Sequence, residues 1–162
     1  MNRIDDLLRA NQRYAETHRA GLGAKPTQRI AVLTCMDARI DVFAVLGLQL
    51  GEAHVLRNAG GRVTDDVLRS LALSTHVLGV DTLVVMQHTK CGLAGVTDTE
   101  LHEMTGADLG FFPIDDHAAA LAEDVLTVET TPFLSPLRNV VGVVYDVDSG
   151  QLEECVRWER PA

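Results

Sequence analysis

Ile30-Ala31-Val32-Leu33-Thr34-Cys35-Met36-Asp37-Ala38-Arg39 runs from four consecutive apolar residues into a cysteine followed by an acid and a base. A short apolar run bounded by polar residues suits a strand buried on both faces, whereas a half-exposed antiparallel strand would alternate. Runs of the same type recur at residues 53–56, 82–86 and 140–144. Strands of this kind belong to parallel sheets with helices on each side.

The segments between them read as those helices. Residues 64–78 open on Thr64, place Asp65 and Asp66 in the first turn, and carry Val67, Leu68, Leu71, Ala72 and Leu78, which predicts a crossover helix capped by Thr64. Residues 116–127 carry Ala118 to Leu121, Val125 and Leu126 after an interruption at 110–113, and predict a second. Ahead of the first strand, Ile4, Leu7, Leu8, Asn11, Tyr14 and Ala15 recur at helical spacing. They predict an amphipathic helix over about residues 2–19, whose apolar face must dock on something. The turn signal at 148–150, between 140–147 and 151–158, predicts a closing hairpin. The expected fold class is therefore α/β. A single domain over residues 1–162 has a mostly parallel central sheet flanked by helices and an antiparallel edge strand at the C-terminus.

Composition narrows the function. Fourteen Lys and Arg against 23 Asp and Glu give a net charge of −9, without a basic cluster, so nucleic acid is not expected as a partner. No apolar run approaches the ~20 residues of a membrane-spanning helix. The opening residues carry Asp5, Asp6 and Arg9 among their apolar neighbours, unlike the apolar core of a secretory signal, so a cytoplasmic location is expected. The three cysteines, Cys35, Cys91 and Cys155, are too few and too odd for a disulfide framework.

In open α/β sheets the ligand site forms beyond the carboxyl ends of the strands. Two cysteine segments lie there: the one quoted above, and Gln87-His88-Thr89-Lys90-Cys91-Gly92 directly after the run at 82–86. Cys35, His88 and Cys91 converge if those two strands are neighbours. Three nitrogen and sulfur donors with a fourth position left to water suit a catalytic zinc, whereas a structural zinc closes with four protein ligands. Cys155, the remaining thiol, lies in the terminal strand instead. Taken singly, each cysteine reads better as a small buried hydrophobe, and His88 as a hydrogen-bonded core histidine. Their joint placement at strand ends favours a metal. His18, His54, His76, His102 and His117 have no cysteine or carboxylate pattern around them and read as surface or packing residues. Asp37 and Arg39 follow Cys35 at steps of two, so in extended backbone all three project to one side. Arg39 would then pair with Asp37 in bidentate fashion and hold it ionised as an acceptor for the proton of a zinc-bound hydroxide.

Cys35-Met36-Asp37-Ala38-Arg39, then Arg57-Asn58-Ala59-Gly60-Gly61, then His88-Thr89-Lys90-Cys91-Gly92 resemble the three signature segments of the β-class carbonic anhydrases. They stand in the family's order and at its usual separations, particularly those of its short form. The resemblance implies one Zn2+ per chain on Cys35, His88 and Cys91, a catalytic pair of Asp37 and Arg39, and an Asp37 able to swing onto the metal as a fourth ligand. It implies that Asn58, Gly60 and Gly92 line the substrate site. The reaction is then the reversible hydration of carbon dioxide to bicarbonate by a zinc-bound hydroxide. A homodimer or homotetramer is implied too, with the helix of residues 1–20 packed on a neighbouring subunit.

Two positions depart from relatives. Where one subgroup, which couples closure to a separate bicarbonate pocket, has a tryptophan, this chain has Val32, so that regulation is not expected. Many relatives are acidic where this chain has Lys90. Two thiolates cancel the formal charge of the ion, so the water pKa should exceed the ~7 of a three-histidine site. Rival readings are a hydrolase of carbonyl sulfide or carbon disulfide on the same zinc, and a non-catalytic zinc-binding module. No G-x-G-x-x-G follows the first strand, which argues against a dinucleotide site.

Overall fold

A computed structural model describes residues 2–18 and 20–161. Met1, Arg19 and Ala162 fall outside the described residues, and with them the expected extension of the first helix to residue 19. The elements run α1 (Arg3–Thr17), β1 (Ile30–Cys35), α2 (Val42–Leu46), β2 (Ala53–Asn58), α3 (Asp65–His76), β3 (Thr82–His88), α4 (Asp98–Thr105), α5 (His117–Thr130), β4 (Asn139–Tyr145) and β5 (Leu152–Glu159). The five strands form one sheet in the order β2-β1-β3-β4-β5. The first three pairings are parallel, and β4 with β5 is antiparallel, as the turn signal at 148–150 predicts.

Alternation along the strands sorts side chains into two layers. Ala31 and Leu33 of β1 and Leu83 and Val85 of β3 pack with Val67 and Leu71 of α3 and with Leu121, Val125 and Val128 of α5. Val32 and Met86 face the other way, into a layer with Val42 of α2, Leu101 of α4 and the two cysteines Cys35 and Cys91. Both faces of β1 and β3 are thus covered, which is why their sequences do not alternate. At the sheet edge, β2 is only half-buried.

Three details differ from the sequence reading. Thr64 occupies the cap position of α3, but its side chain makes no capping bond, which leaves Asp65 and Asp66 to complement the helix dipole. Helix α4 is an unpredicted element, although Thr97 and Glu100 close a reciprocal capping box at its start. The backbone after Cys35 is a turn and not extended: the amides of Arg39 and Ile40 both return to Asp37, one to Oδ1 at 2.9 Å and one to the carbonyl at 3.2 Å. Steps of two therefore do not account for how these side chains come together.

Helix α1 has no buried residue. Ile4, Leu7, Leu8 and Tyr14, the face that the periodicity marked as apolar, are all exposed. No described helix is long and apolar enough to cross a membrane.

Candidate metal centre

Because β1 and β3 are parallel neighbours, with Thr34 opposite Met86, their carboxyl ends deliver Cys35 and His88 side by side. Cys91 follows one turn later. Its sulfur lies 4.0 Å from that of Cys35, and both thiols are buried and free. Two sulfurs at ~2.3 Å from one tetrahedral ion would stand about 3.8 Å apart, whereas a disulfide needs about 2.05 Å. One ligand atom from each of Cys35, His88 and Cys91 lies within 4.8 Å of the others, the sole such group of three found among the described residues.

His88 is fully buried, and its orientation is fixed from behind. Nδ1 lies 2.8 Å from the Thr89 carbonyl. A carbonyl only accepts, so Nδ1 carries a proton, and in the neutral ring that leaves the lone pair on Nε2. That Nε2 is buried without a hydrogen-bond partner, a costly state for a polar atom unless something electron-poor sits against it. Burial pushes the Cys91 thiol up, with Cys35 nearby adding to the effect. A cation would reverse that shift, since metal binding takes up thiolates and releases their protons. The orphaned nitrogen and the paired buried thiols fit zinc.

Asp37 sits at the edge of this group. Its Oδ2 is 3.7 Å from His88 Nε2. Arg39 grips the carboxylate with two parallel bonds, Nε to Oδ1 at 2.9 Å and Nη2 to Oδ2 at 2.7 Å, and adds its own amide to Oδ1. These bonds, first the guanidinium and then the amide, hold the carboxyl well below the usual carboxylate range. Nη2 of Arg39 also donates to the Lys90 carbonyl at 3.1 Å. Lys90 has a left-handed backbone, φ 55°, unusual for a residue with a side chain. The ammonium of Lys90 pairs with Asp148 in the β4–β5 turn.

The remaining signature residues fall in different surroundings. Both ends of the Asn58 amide are committed to Arg62, Nδ2 donating to its carbonyl at 2.7 Å and Oδ1 accepting from its amide at 3.0 Å. Gly60 is buried, and a Cβ there would stand 2.8 Å from Leu93. Gly61, at φ 65°, lies closer still to the site: a Cβ would come within 2.9 Å of the Thr34 backbone and 3.0 Å of the Cys35 amide, so only glycine fits beside the first sulfur. Gly92 is exposed beside Cys91 with open space around it. Cys155 is exposed on β5. The five other histidines bond outside the cluster: His18 meets Tyr14, His54 meets Ser74 and Ala24, His76 meets Phe133, His102 meets Leu109, and His117 meets Gln87. A network that sequence reasoning missed lies behind the site. Buried Asp124 of α5 accepts from Arg62 at 2.8 Å and from the Val63 amide at 3.0 Å, and Gln87, next to His88 but turned to the other face, approaches it at 3.4 Å. Nothing local marks a contact between residues 62 positions apart.

An α/β sheet that brings two thiols and one imidazole to a buried point beyond its strand ends presents the kind of donor set that a catalytic zinc site uses. Residues 30–109 match the family model described as carbonic anhydrase. The chain is 38% identical over 160 residues to β-carbonic anhydrase 1 of Mycobacterium tuberculosis, covering 95% of this chain and 98% of that one. The carbonic anhydrase of Streptococcus mutans superposes with a TM-score of 0.87 at 39% identity, covering 96% and 99%. A carbon disulfide hydrolase of an Acidianus strain is 42% identical over 98 residues, but these span 60% of this chain and 47% of that protein. The chain belongs to the β-carbonic anhydrase family.

Proposed function

We propose that Cys35, His88 and Cys91 hold the zinc with which this chain, a carbonic anhydrase, interconverts carbon dioxide and bicarbonate. The observation that carries the assignment is the buried, unpartnered Nε2 of His88 facing two thiols whose sulfurs are 4.0 Å apart. Zinc bound there lowers the pKa of a water molecule and supplies hydroxide near neutral pH.

The protein's own part falls to Asp37 and Arg39. The carboxylate is acceptor-only while ionised, and Arg39 keeps it so. With Oδ2 at 3.7 Å from Nε2, Asp37 would stand as the hydrogen-bond acceptor for a water or hydroxide that zinc on these three donors would supply, and would orient it toward substrate. The pairing with Arg39 supports a resting state in which Asp37 stays off the metal. Of the three residues implied to line the substrate site Gly92 is the exposed one, while half-buried Asn58 and buried Gly60 serve the walls of the site. The exposed apolar face of α1 supports a docking role on a second copy, in a homodimer or homotetramer; removing residues 2–18 should then lower the number of subunits per particle measured by light scattering, and an unchanged number would exclude it. Free thiols suit a reducing cytoplasm.

Stopped-flow hydration of carbon dioxide, run beside an assay for sulfide release from carbon disulfide, tests the function. Hydration should climb as pH rises through about 7 to 9, since two thiolates leave the ion less charged than three imidazoles do. Asp37 has a lowered folded pKa, so it remains ionised above about pH 4 and adds no acid limb in the assayed range. Sulfide release without hydration would transfer the site to the carbon disulfide hydrolases, and full zinc occupancy with neither activity would make it a binding module.

A further inference from the structure

The residues of the turn 36–40 carry Asp37 to the metal donors, yet few of the turn's own bonds fix it. Three carbonyls, that of Cys35 at the end of β1 and those of Asp37 and Ile40 in the turn, converge instead on one side chain of the neighbouring strand. Arg57, near the carboxyl end of β2, donates through Nε to Cys35 at 2.9 Å, through Nη2 to Asp37 at 2.6 Å and through Nη1 to Ile40 at 3.2 Å. The strand pairing places Arg57 opposite Thr34, one residue before the first sulfur, and Asn58 fastens the start of the turn by accepting from the Met36 amide at 2.8 Å. Three carbonyl dipoles pointing at one place repel one another unless a donor stands between them. A planar guanidinium offers several donors in a fixed fork, which an ammonium cannot reproduce.

We propose that Arg57 is a positioning residue, whose grip on the Cys35, Asp37 and Ile40 carbonyls sets the Asp37 carboxylate against the metal donors. The inference rests on the reading that Asp37 serves turnover. Arg57 touches neither the three donor side chains nor the Asp37 carboxylate in its hydrogen bonds, so it acts through the turn alone. Displacement of a reacting group by about 1 Å costs on the order of a hundredfold in rate, and a loosened turn should cost a sizeable share of that.

Arg57→Gln and Arg57→Lys, each made in the parental chain and in Asp37→Ala, test the proposal by zinc content, steady-state kinetics and amide hydrogen exchange. Arg57→Gln should keep its zinc, lose roughly ten- to a hundredfold in kcat with little change in KM, and add almost nothing to the loss already present in Asp37→Ala. In the metal-free protein the Arg39 and Ile40 amides should exchange faster while those of Ala31 to Leu33 keep their protection. Arg57→Lys should show the same pattern in milder form, and it carries the test if Arg57→Gln does not fold. Parental turnover, an undiminished loss on the Asp37→Ala background, or faster exchange throughout β1 would each overturn the proposal. A parental protein with no hydratase activity would remove the functional reading instead, and the exchange data would still judge the role of Arg57.

Discussion

Cys35→Ser is expected to strip the protein of zinc and reduce carbon dioxide hydration to background. Zinc sites draw roughly 10 to 16 kcal/mol of apparent binding free energy from their ligands. That figure is for sites of four protein ligands, so one ligand accounts for about 2.5 to 4 kcal/mol, a loss of roughly a hundredfold or more in affinity. The substitution also harms the fold. Cys35 is only 5% exposed, and a serine hydroxyl in the same place is buried against Cys91 with no acceptor supplied, at a cost of about 1 to 3 kcal/mol. Cys155→Ser provides the control, since that thiol lies exposed on β5 and should leave zinc and turnover unchanged. Metal analysis after dialysis with a stopped-flow assay checks both, and a Cys35→Ser protein with stoichiometric zinc would remove Cys35 from the ligand set.

Asp37→Ala separates the metal from the chemistry around it. Asp37 is not among the three clustered donors, so the variant should bind zinc as the parent does. It should lose about 10² to 10⁴ in kcat/KM, the range for removing a positioned proton acceptor. Two changes act together. The acceptor at 3.7 Å from His88 Nε2 disappears, and Arg39 loses both of its carboxylate bonds and retains only the Lys90 carbonyl. Turnover at the parental rate would show that the carboxylate is a structural anchor for Arg39 and not a participant.

How much of this was legible in the sequence follows from the range of the interactions involved. The strands β1, β3 and β4 announced themselves because burial on both faces leaves an unbroken apolar run, and the three clustered residues because they lie in the two segments that directly follow such runs. That the first and third runs are neighbours is a long-range pairing, which no local pattern encodes. The Asp37–Arg39 pair was foreseen for an insufficient reason. An extended backbone was expected, whereas the chain turns back on Asp37 and lets its side chain cap the Arg39 amide, a habit of aspartate that spacing does not reveal. Helix α4 was readable from Thr97 and Glu100, but its weakly apolar pattern hid it. The bonds of Arg57 to the metal-site turn and of Arg62 to Asp124 join distant segments and needed the fold to become visible.

X-ray absorption at the zinc edge of the purified, zinc-loaded protein tests the ligand assignment most directly. Two sulfurs at about 2.3 Å, with one imidazole nitrogen and one further light atom near 2.0 Å, are the expected shell. A shell without two sulfurs, or a protein that takes up no zinc when the metal is supplied under reducing conditions, would contradict it.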